Sequence, residues 1–334
     1  MSEKKLPGEI VTSYLERFPE TPSLTLAKLI YKENPEVWSN VESVRNRIRY
    51  YRGSNGVKGF DQLADRRFIK EFGNYNPFEL PESEEKEFKH FDIPVGFNKT
   101  LIIGDVHIPY HSIKALTLML DFATKQSIDS ILLNGDIIDF YALSCFVKDP
   151  RKRIIKEEIE SLKKFLDVLE KSFNVKIFYK IGNHEERLET YLRVKAPELI
   201  GISEFELYNL LGLEDRNITL IKDKRTIKFG KLNILHGHEL KSGIISPVNV
   251  ARGVFLKTKV PTLVNHWHIK TSHGENSLNE KYIECWSVGC MCELHPEYMP
   301  NNRWVHGFAI VDKLNEEGEF NVNNFKIIKG RVFE

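Results

Sequence analysis

The sequence predicts an α/β domain whose sheet is parallel in its first half, preceded by a small all-α module. Three observations carry this expectation. Apolar runs at 101–103, 130–133 and 175–181 alternate with helical periodicity at 112–125 and 154–172, the strand and helix order that builds right-handed crossovers. Five apolar runs deliver Asp, Asn or His at their C-terminal ends, where open α/β sheets place their ligand crevices. Residues 9–56, by contrast, carry helical spacing alone.

A chain of 334 residues accommodates one large domain and a small one. With 41% hydrophobic and 28% charged residues it falls in the globular range, which excludes a disordered or fibrous chain. A net charge of +1 gives no overall field for nucleic acid or an acidic partner, so any such preference is local. Residues 1–9 are charged and lack an apolar core, and no apolar run approaches the ~18 residues that span a bilayer. A soluble, cytoplasmic protein without membrane contact is therefore expected. Cys285, Cys290 and Cys292, followed by His295, do not match paired CxxC zinc spacing. They and Cys145 read as reduced, structural cysteines, with a structural metal as the alternative.

In chain order, Ile10, Tyr14, Leu15 and Phe18 have helical spacing, and Pro22 and Ser23 open a second helix with Leu24, Leu26, Ala27, Leu29 and Ile30. After Asn34 and Pro35 a third helix runs over about 39–51 and ends at Gly53. This outline, assigned to residues 1–60, is that of a helix-turn-helix module. Its third helix carries Arg45, Arg49 and Arg52 at helical spacing, with Arg47, Tyr50 and Tyr51 beside them, which suits phosphate and base contact with DNA or RNA. Residues 1–60 hold ten Lys/Arg against seven Asp/Glu, a surplus of three, so a solvated face of a packing or oligomerisation module is the alternative. Residues 61–97 lose periodicity around Asn74, Pro77 and the acidic run at 82–87 and read as a linker, partly packed on the next domain.

The third unit, 98–334, begins with a strand at 101–103, then a helix over 112–125 capped by Ser112 with Leu116, Met119, Leu120 and Ala123 inward. A loop with Asp139, Phe140, Tyr141 and the basic cluster 148–153 precedes the charged helix at 154–172. Beyond Leu213 strands are expected at 218–222, 226–229, 232–235, 282–288, 307–311 and 320–328, with one helix over about 247–257.

The five strand ends spell Gly104-Asp105-Val106-His107, Gly135-Asp136, Gly182-Asn183-His184-Glu185, His236-Gly237-His238 and Asn265-His266-Trp267-His268. Alternation along a strand puts Asp105 and His107 on one face. Any one motif alone is as well explained by a strand-end turn. The ordered series resembles the calcineurin-like metallophosphoesterases, from about residue 99 to the C-terminus, and with the helical module ahead of it looks similar to phage- and prophage-type members. One departure is Asn265, which stands where the family usually has Gly.

The resemblance implies a four-layer α/β/β/α sandwich and a pair of divalent first-row metal ions, Mn foremost, with Fe, Zn and Ni also suited to mixed carboxylate and imidazole donors. It assigns Asp105, His107 and His268 to the first ion, Asn183, His236 and His266 to the second, and Asp136 to both. Hydrolysis by a metal-bridging hydroxide is implied, the ions clamping the phosphate and lowering the pKa of a bridging water. His184 is expected as general acid, Asp139 as the group orienting His107, and Arg187 as a phosphate ligand or a surface ion-pair partner of Glu204 or Glu206. His238 and His273 read as structural histidines. A metal-dependent phosphoesterase acting on a nucleic-acid or nucleotide phosphodiester is the leading expectation. Open alternatives are a phosphoprotein or small-molecule phosphomonoesterase, a catalytically silent scaffold, and a DNA-binding regulator. Oligomeric state is not legible.

Overall fold

The computed structural model describes residues 6–19, 21–53, 81, 84–85, 88–145, 154–240, 243, 249–278 and 281–334. The chain divides into two compact units, Met1–Glu85 and Lys86–Glu334. Residues 61–80 of the expected linker and the expected basic cluster at 148–153 lie outside the described residues. Among the described residues, no helix is long and apolar enough to cross a membrane.

In the first unit α1 (Pro7–Arg17), α2 (Ser23–Glu33) and α3 (Val41–Tyr51) meet around Val11, Leu15, Leu26, Ile30, Val44 and Ile48, all fully buried. Pro7 sits in the first turn of α1, where its missing N–H costs nothing. Asn40 caps α3 by accepting the Ser43 N–H. Residues 34–40 join α2 to α3, a connection longer than the 3–4 residues of a helix-turn-helix. The expected arginine face is also narrower than the spacing suggested. Arg52 is buried, its guanidinium donating to Ser23 Oγ at 3.0 Å and the Pro19 carbonyl at 2.8 Å, so it ties the end of α3 to the start of α2. Arg45 pairs with Glu42 one turn away, and Arg47 is the exposed member of the set.

The second unit opens with β1 (Phe91–Asp92), β2 (Lys99–Ile103), α4 (Ile113–Ala123), β3 (Ser130–Asn134), α5 (Ile155–Ser172) and β4 (Lys176–Lys180). It continues with α6 (Glu186–Lys195), α7 (Leu207–Leu211), β5 (Ile218–Ile221), β6 (Ile227–Phe229), β7 (Leu232–Leu235), α8 (Val250–Thr258) and β8 (Thr262–Val264). The last elements are β9 (Thr271–Asn276), β10 (Tyr282–Ser287), β11 (His306–Lys313), β12 (Phe320–Ile328) and β13 (Arg331–Phe333).

These strands form two sheets, one ordered β13-β12-β11-β2-β3-β4-β5 and the other β1-β6-β7-β8-β10-β9. Strands β2 to β5 run parallel, as the alternating pattern requires, and β11 closes them antiparallel on β2. Alternation along β2, β3 and β4 then decides the layers. Leu101, Ile103, Ile131, Leu133, Ile177 and Tyr179 face a core shared with α4, α5 and α7. Ile102, Leu132 and Phe178 face the opposite way, against Phe229, Leu232, Ile234 and Leu263 of the other sheet. Helix α8 covers the outer side of that second sheet through Ala251 and Val254 on Leu235 and Val264. The architecture is thus helix, sheet, sheet, helix in four layers. Strands β1, β9 and β13 have no counterpart in the periodicity. β1 pairs with β6, and Phe91 and Phe97 pack edge-on against Phe178 at 6.0 and 5.5 Å, so the end of the expected linker is part of this core. Ser112 precedes α4 but makes no side-chain cap bond.

Replacing Arg52 by Ala removes a buried donor from Ser23 and Pro19, and is expected to destabilise the helical unit by about 1–3 kcal/mol. Faster amide hydrogen exchange in α1–α3, with exchange in β2–β4 unchanged, would register it.

Candidate metal centre

The ends of β3, β7 and β8 are stitched together by Asn134, whose Nδ2 donates to the Leu235 carbonyl and to Asn265 Oδ1, both at 2.8 Å. This explains Asn265 at a position expected to be glycine: the small residue is Gly104 on the neighbouring strand end, where a Cβ would overlap the Asn265 side chain. Gly104 leaves room for the Asn265 side chain and the strand ends still meet.

Beyond those ends the backbone turns left. Asp105, His107, Asp136, His266 and His268 all have φ between 52° and 72°, a region non-glycine residues rarely enter. Asp105 and His107 therefore converge through two left-handed residues past the end of β2, and strand alternation, the reason expected from sequence, is not the cause. Gly135 and Gly182 are needed for room, since a Cβ on the first would strike the His236 ring and one on the second would overlap Asp136 Oδ1.

The side chains so released form two clusters that share Asp136. In one, His107 Nε2 lies 3.2 Å from His268 Nε2, 4.0 Å from Asp105 Oδ1 and 3.9 Å from Asp136 Oδ2, and His268 Nε2 is 3.4 Å from Asp105 Oδ1. In the other, His236 Nε2 is 3.3 Å from Asp136 Oδ2, and His266 completes a group of three donors with them. Asn183 Oδ1, Asp105 Oδ1, His236 Nε2 and His266 Nδ1 are buried without a hydrogen-bond partner among the described residues. Buried polar atoms are almost always satisfied, so these orphans call for a ligand.

Electrostatics say the same. Burial opposes charge on His236 and His268, yet Asp136 raises the first to about 10 and Asp105 raises the second to about 10. The carboxylates thus draw positive charge to these two positions, and divalent cations suit the mixed donor set.

Three of the four imidazoles have a partner behind them. His107 Nδ1 donates to Asp139 Oδ2 at 3.2 Å, as expected of Asp139, and His236 Nδ1 donates to the Asn134 carbonyl at 2.7 Å. His268 Nδ1 has the Cys292 thiol at 3.7 Å, a role not read from the sequence. The acceptors behind His107 and His236 fix the tautomer that leaves Nε2 facing inward.

His184 lies beside the centre. Its Nδ1 donates to the Asp139 carbonyl at 2.9 Å, and its Nε2 lies 3.0 Å from Arg187 Nη2 and 3.8 Å from Asp136 Oδ2. Burial works against charge here, but Asp136 and Asp139 carry its pKa above the ordinary imidazole value. Arg187 also donates to the Asp139 carbonyl at 2.7 Å; Glu206 pairs instead with Lys222 and Glu204 with Ser203. His238 bonds Glu186 and His273 bonds Glu275, in keeping with structural roles.

Two buried carboxylates that the sequence reading passed over hold the loops. Glu185 accepts the N–H groups of Asp136, Ile137 and Gly182 at 2.9, 2.8 and 2.9 Å and the Tyr179 hydroxyl at 2.9 Å, clamping the ends of β3 and β4. Glu239 accepts the N–H groups of His236 and Gly237 and pairs with the buried Lys180 at 2.9 Å, tying the end of β7 to β4 across the two sheets. A lysine closing the apolar run 175–181 was the signal available for that pair.

The family model for calcineurin-like phosphoesterases matches residues 99–320. The chain belongs to the calcineurin-like phosphoesterase family. It is thereby a hydrolase acting on phosphate esters, and the family implies divalent metal ions. Among curated relatives, Gene 54 protein of Mycobacterium phage L5 is 23% identical over 227 residues, covering 64% of this chain and 88% of the phage protein. The protein of the same designation from Mycobacterium phage D29 is 26% identical over the same shares. Among solved structures, a single mutant of Vps29 from Entamoeba histolytica aligns with TM-score 0.38 and 15% identity over 70% of this chain and 96% of that one.

In this phosphoesterase the Glu185 clamp sets where Asp136 and Asn183 stand. Glu185→Gln is expected to weaken divalent-metal binding 10- to 100-fold in calorimetric titration, whereas unchanged affinity would mean the clamp does not position the centre.

Proposed function

We propose that the protein hydrolyses a phosphodiester of nucleic acid or a nucleotide at this centre. The observation that carries the reading is Asp136, which lies within reach of both donor clusters, 3.9 Å from His107 Nε2 and 3.3 Å from His236 Nε2. Asp105, His107 and His268 would hold one cation, Asn183, His236 and His266 the other, with Asp136 serving both. Two such ions, Mn foremost, would neutralise phosphoryl charge and make water a strong nucleophile at neutral pH.

The chain's own groups supply the rest. Water attacks phosphorus, the ester P–O bond breaks, and the departing oxygen takes a proton from His184 Nε2. The Asp139 carbonyl keeps the His184 ring oriented through Nδ1, and the nearby carboxylates of Asp136 and Asp139 favour its protonated form. Arg187, anchored on that carbonyl with its second nitrogen 3.0 Å from His184 Nε2, would serve as a phosphoryl-oxygen ligand beside the proton donor.

The helical unit supports the choice of a nucleic-acid substrate, because α3 presents Arg47 with the partly exposed Arg45, Arg49 and Tyr50. Arg52 is left out of that surface by its bonds to Ser23 and Pro19. The phage origin of the curated relatives is in keeping with it.

His184→Gln is expected to lower kcat by about 10²–10⁴ while metal content by emission spectroscopy stays near that of the unaltered enzyme. Asp136→Asn is expected to lower both. Assayed on p-nitrophenyl phosphate, its bis ester and single-stranded DNA, the enzyme should prefer the diesters; preference for the monoester would replace this reading with that of a phosphomonoesterase. Arg45→Glu with Arg49→Glu should weaken DNA retention in a filter-binding assay, and unchanged retention would remove the helical unit from substrate binding.

A further inference from the structure

Beside the donor clusters stands an aromatic ladder that the proposed hydrolysis does not use. The Trp304 ring lies edge-to-face against His268, with centroids 4.2 Å apart, and Tyr298 lies edge-to-face on Trp304 at 6.3 Å. Tyr298 is 76% exposed, far more than a large aromatic ring needs to be if its work were packing, while Trp304 is half-buried. Both sit in the segment after Cys292, whose thiol is already against His268. The ladder thus begins at a proposed metal ligand, His268, and leads through Trp304 outward to solvent at Tyr298.

We propose that Trp304 and Tyr298 form a stacking platform for the nucleobase attached to the scissile phosphate. This deepens the phosphodiester reading and rests on it. Charge complementarity fixes which part of the ligand goes where: the cation-binding pocket and Arg187 demand the phosphate, and the uncharged rings that start at His268 accept a planar, weakly polar group. Aromatic stacking tolerates all four bases, since each has a π-face, so the platform confers preference for nucleotides without reading sequence. Exposure of Tyr298 in the unliganded chain is the condition for this: a ring that must receive a base has to be open to it.

The test compares a nucleotide with the same phosphate lacking its base. Thymidine 5′-monophosphate and 2-deoxyribose 5-phosphate are titrated into the metal-loaded, full-length protein, with affinity read by calorimetry and stacking by quenching of tryptophan emission. The nucleotide is expected to bind about 5- to 150-fold more tightly, the span of about 1–3 kcal/mol for one stacked base. In Tyr298→Ala that ratio should fall towards one, and in Tyr298→Phe, which keeps the ring, it should persist. Trp304→Phe reports the inner rung and should give an intermediate ratio. Equal affinity of the two phosphates for the unaltered protein overturns the platform. So does loss of the ratio in Tyr298→Phe, which would assign the effect to the hydroxyl. Failure of the phosphodiester reading shows itself separately, as preference for p-nitrophenyl phosphate over its bis ester.

Discussion

The centre depends on one backbone constraint: five non-glycine residues held in left-handed conformation immediately beyond strand ends. Asp105, His107, Asp136, His266 and His268 each adopt it, at a cost of order 1–3 kcal/mol apiece. Extended continuation of β2, β3 and β8 would carry these side chains onward along the strand directions. Turning left folds them back over the sheet edge, so that donors from strands of both sheets point at the same small volume. A conformation this unfavourable persists only where its surroundings over-determine it, and the surroundings here do.

Glu185 and Glu239 restrain the loops that follow β3, β4 and β7. Each is a buried carboxylate whose oxygens are taken up by main-chain N–H groups of the very loops that carry the proposed ligands. Hydrogen bonds to a carboxylate are stronger than those between neutral groups, and in a buried site they are not screened by water. Glycines at 135 and 182 remove the Cβ atoms that would keep the loops apart. Asn134 and Asn265 then join the two sheets at the point where the loops leave them. Strain, clamps and cleared space belong to one device.

Orientation is a separate matter from position. A histidine delivered to the right place can still present the wrong nitrogen, and here a carboxylate makes the choice for His107 and a main-chain carbonyl for His236, while the Cys292 thiol stands behind His268. Asp139 recurs in this role, since its carboxylate holds His107 while its carbonyl holds both His184 and Arg187. One residue thereby couples the pocket that takes the phosphate's charge to the group proposed to protonate its leaving oxygen. The same segment that provides the Cys292 thiol goes on to provide Trp304 and Tyr298, so the wall of the site and the ladder leading outward from it come from one stretch of chain.

Much of this was legible in the residues. Strand and helix alternation over 99–182 follows from hydrophobic period, which is a local property, and so do the three N-terminal helices. The donors were legible because metal chemistry needs Asp, Asn and His, and five apolar runs deliver them in order. The packing of the two sheets was not, since Ile102 and Leu101 are equally apolar and only the fold decides that one faces a sheet and the other a helix. Nor was the work of Arg52, whose helical spacing matches that of Arg45 and Arg49 but whose partners, Ser23 and Pro19, lie about thirty residues away. Sequence determined which chemical groups are present and how each segment is wound. Tertiary structure alone decided which of them meet, because the contacts of Glu185, Glu239, Cys292 and Trp304 join positions that no local period connects.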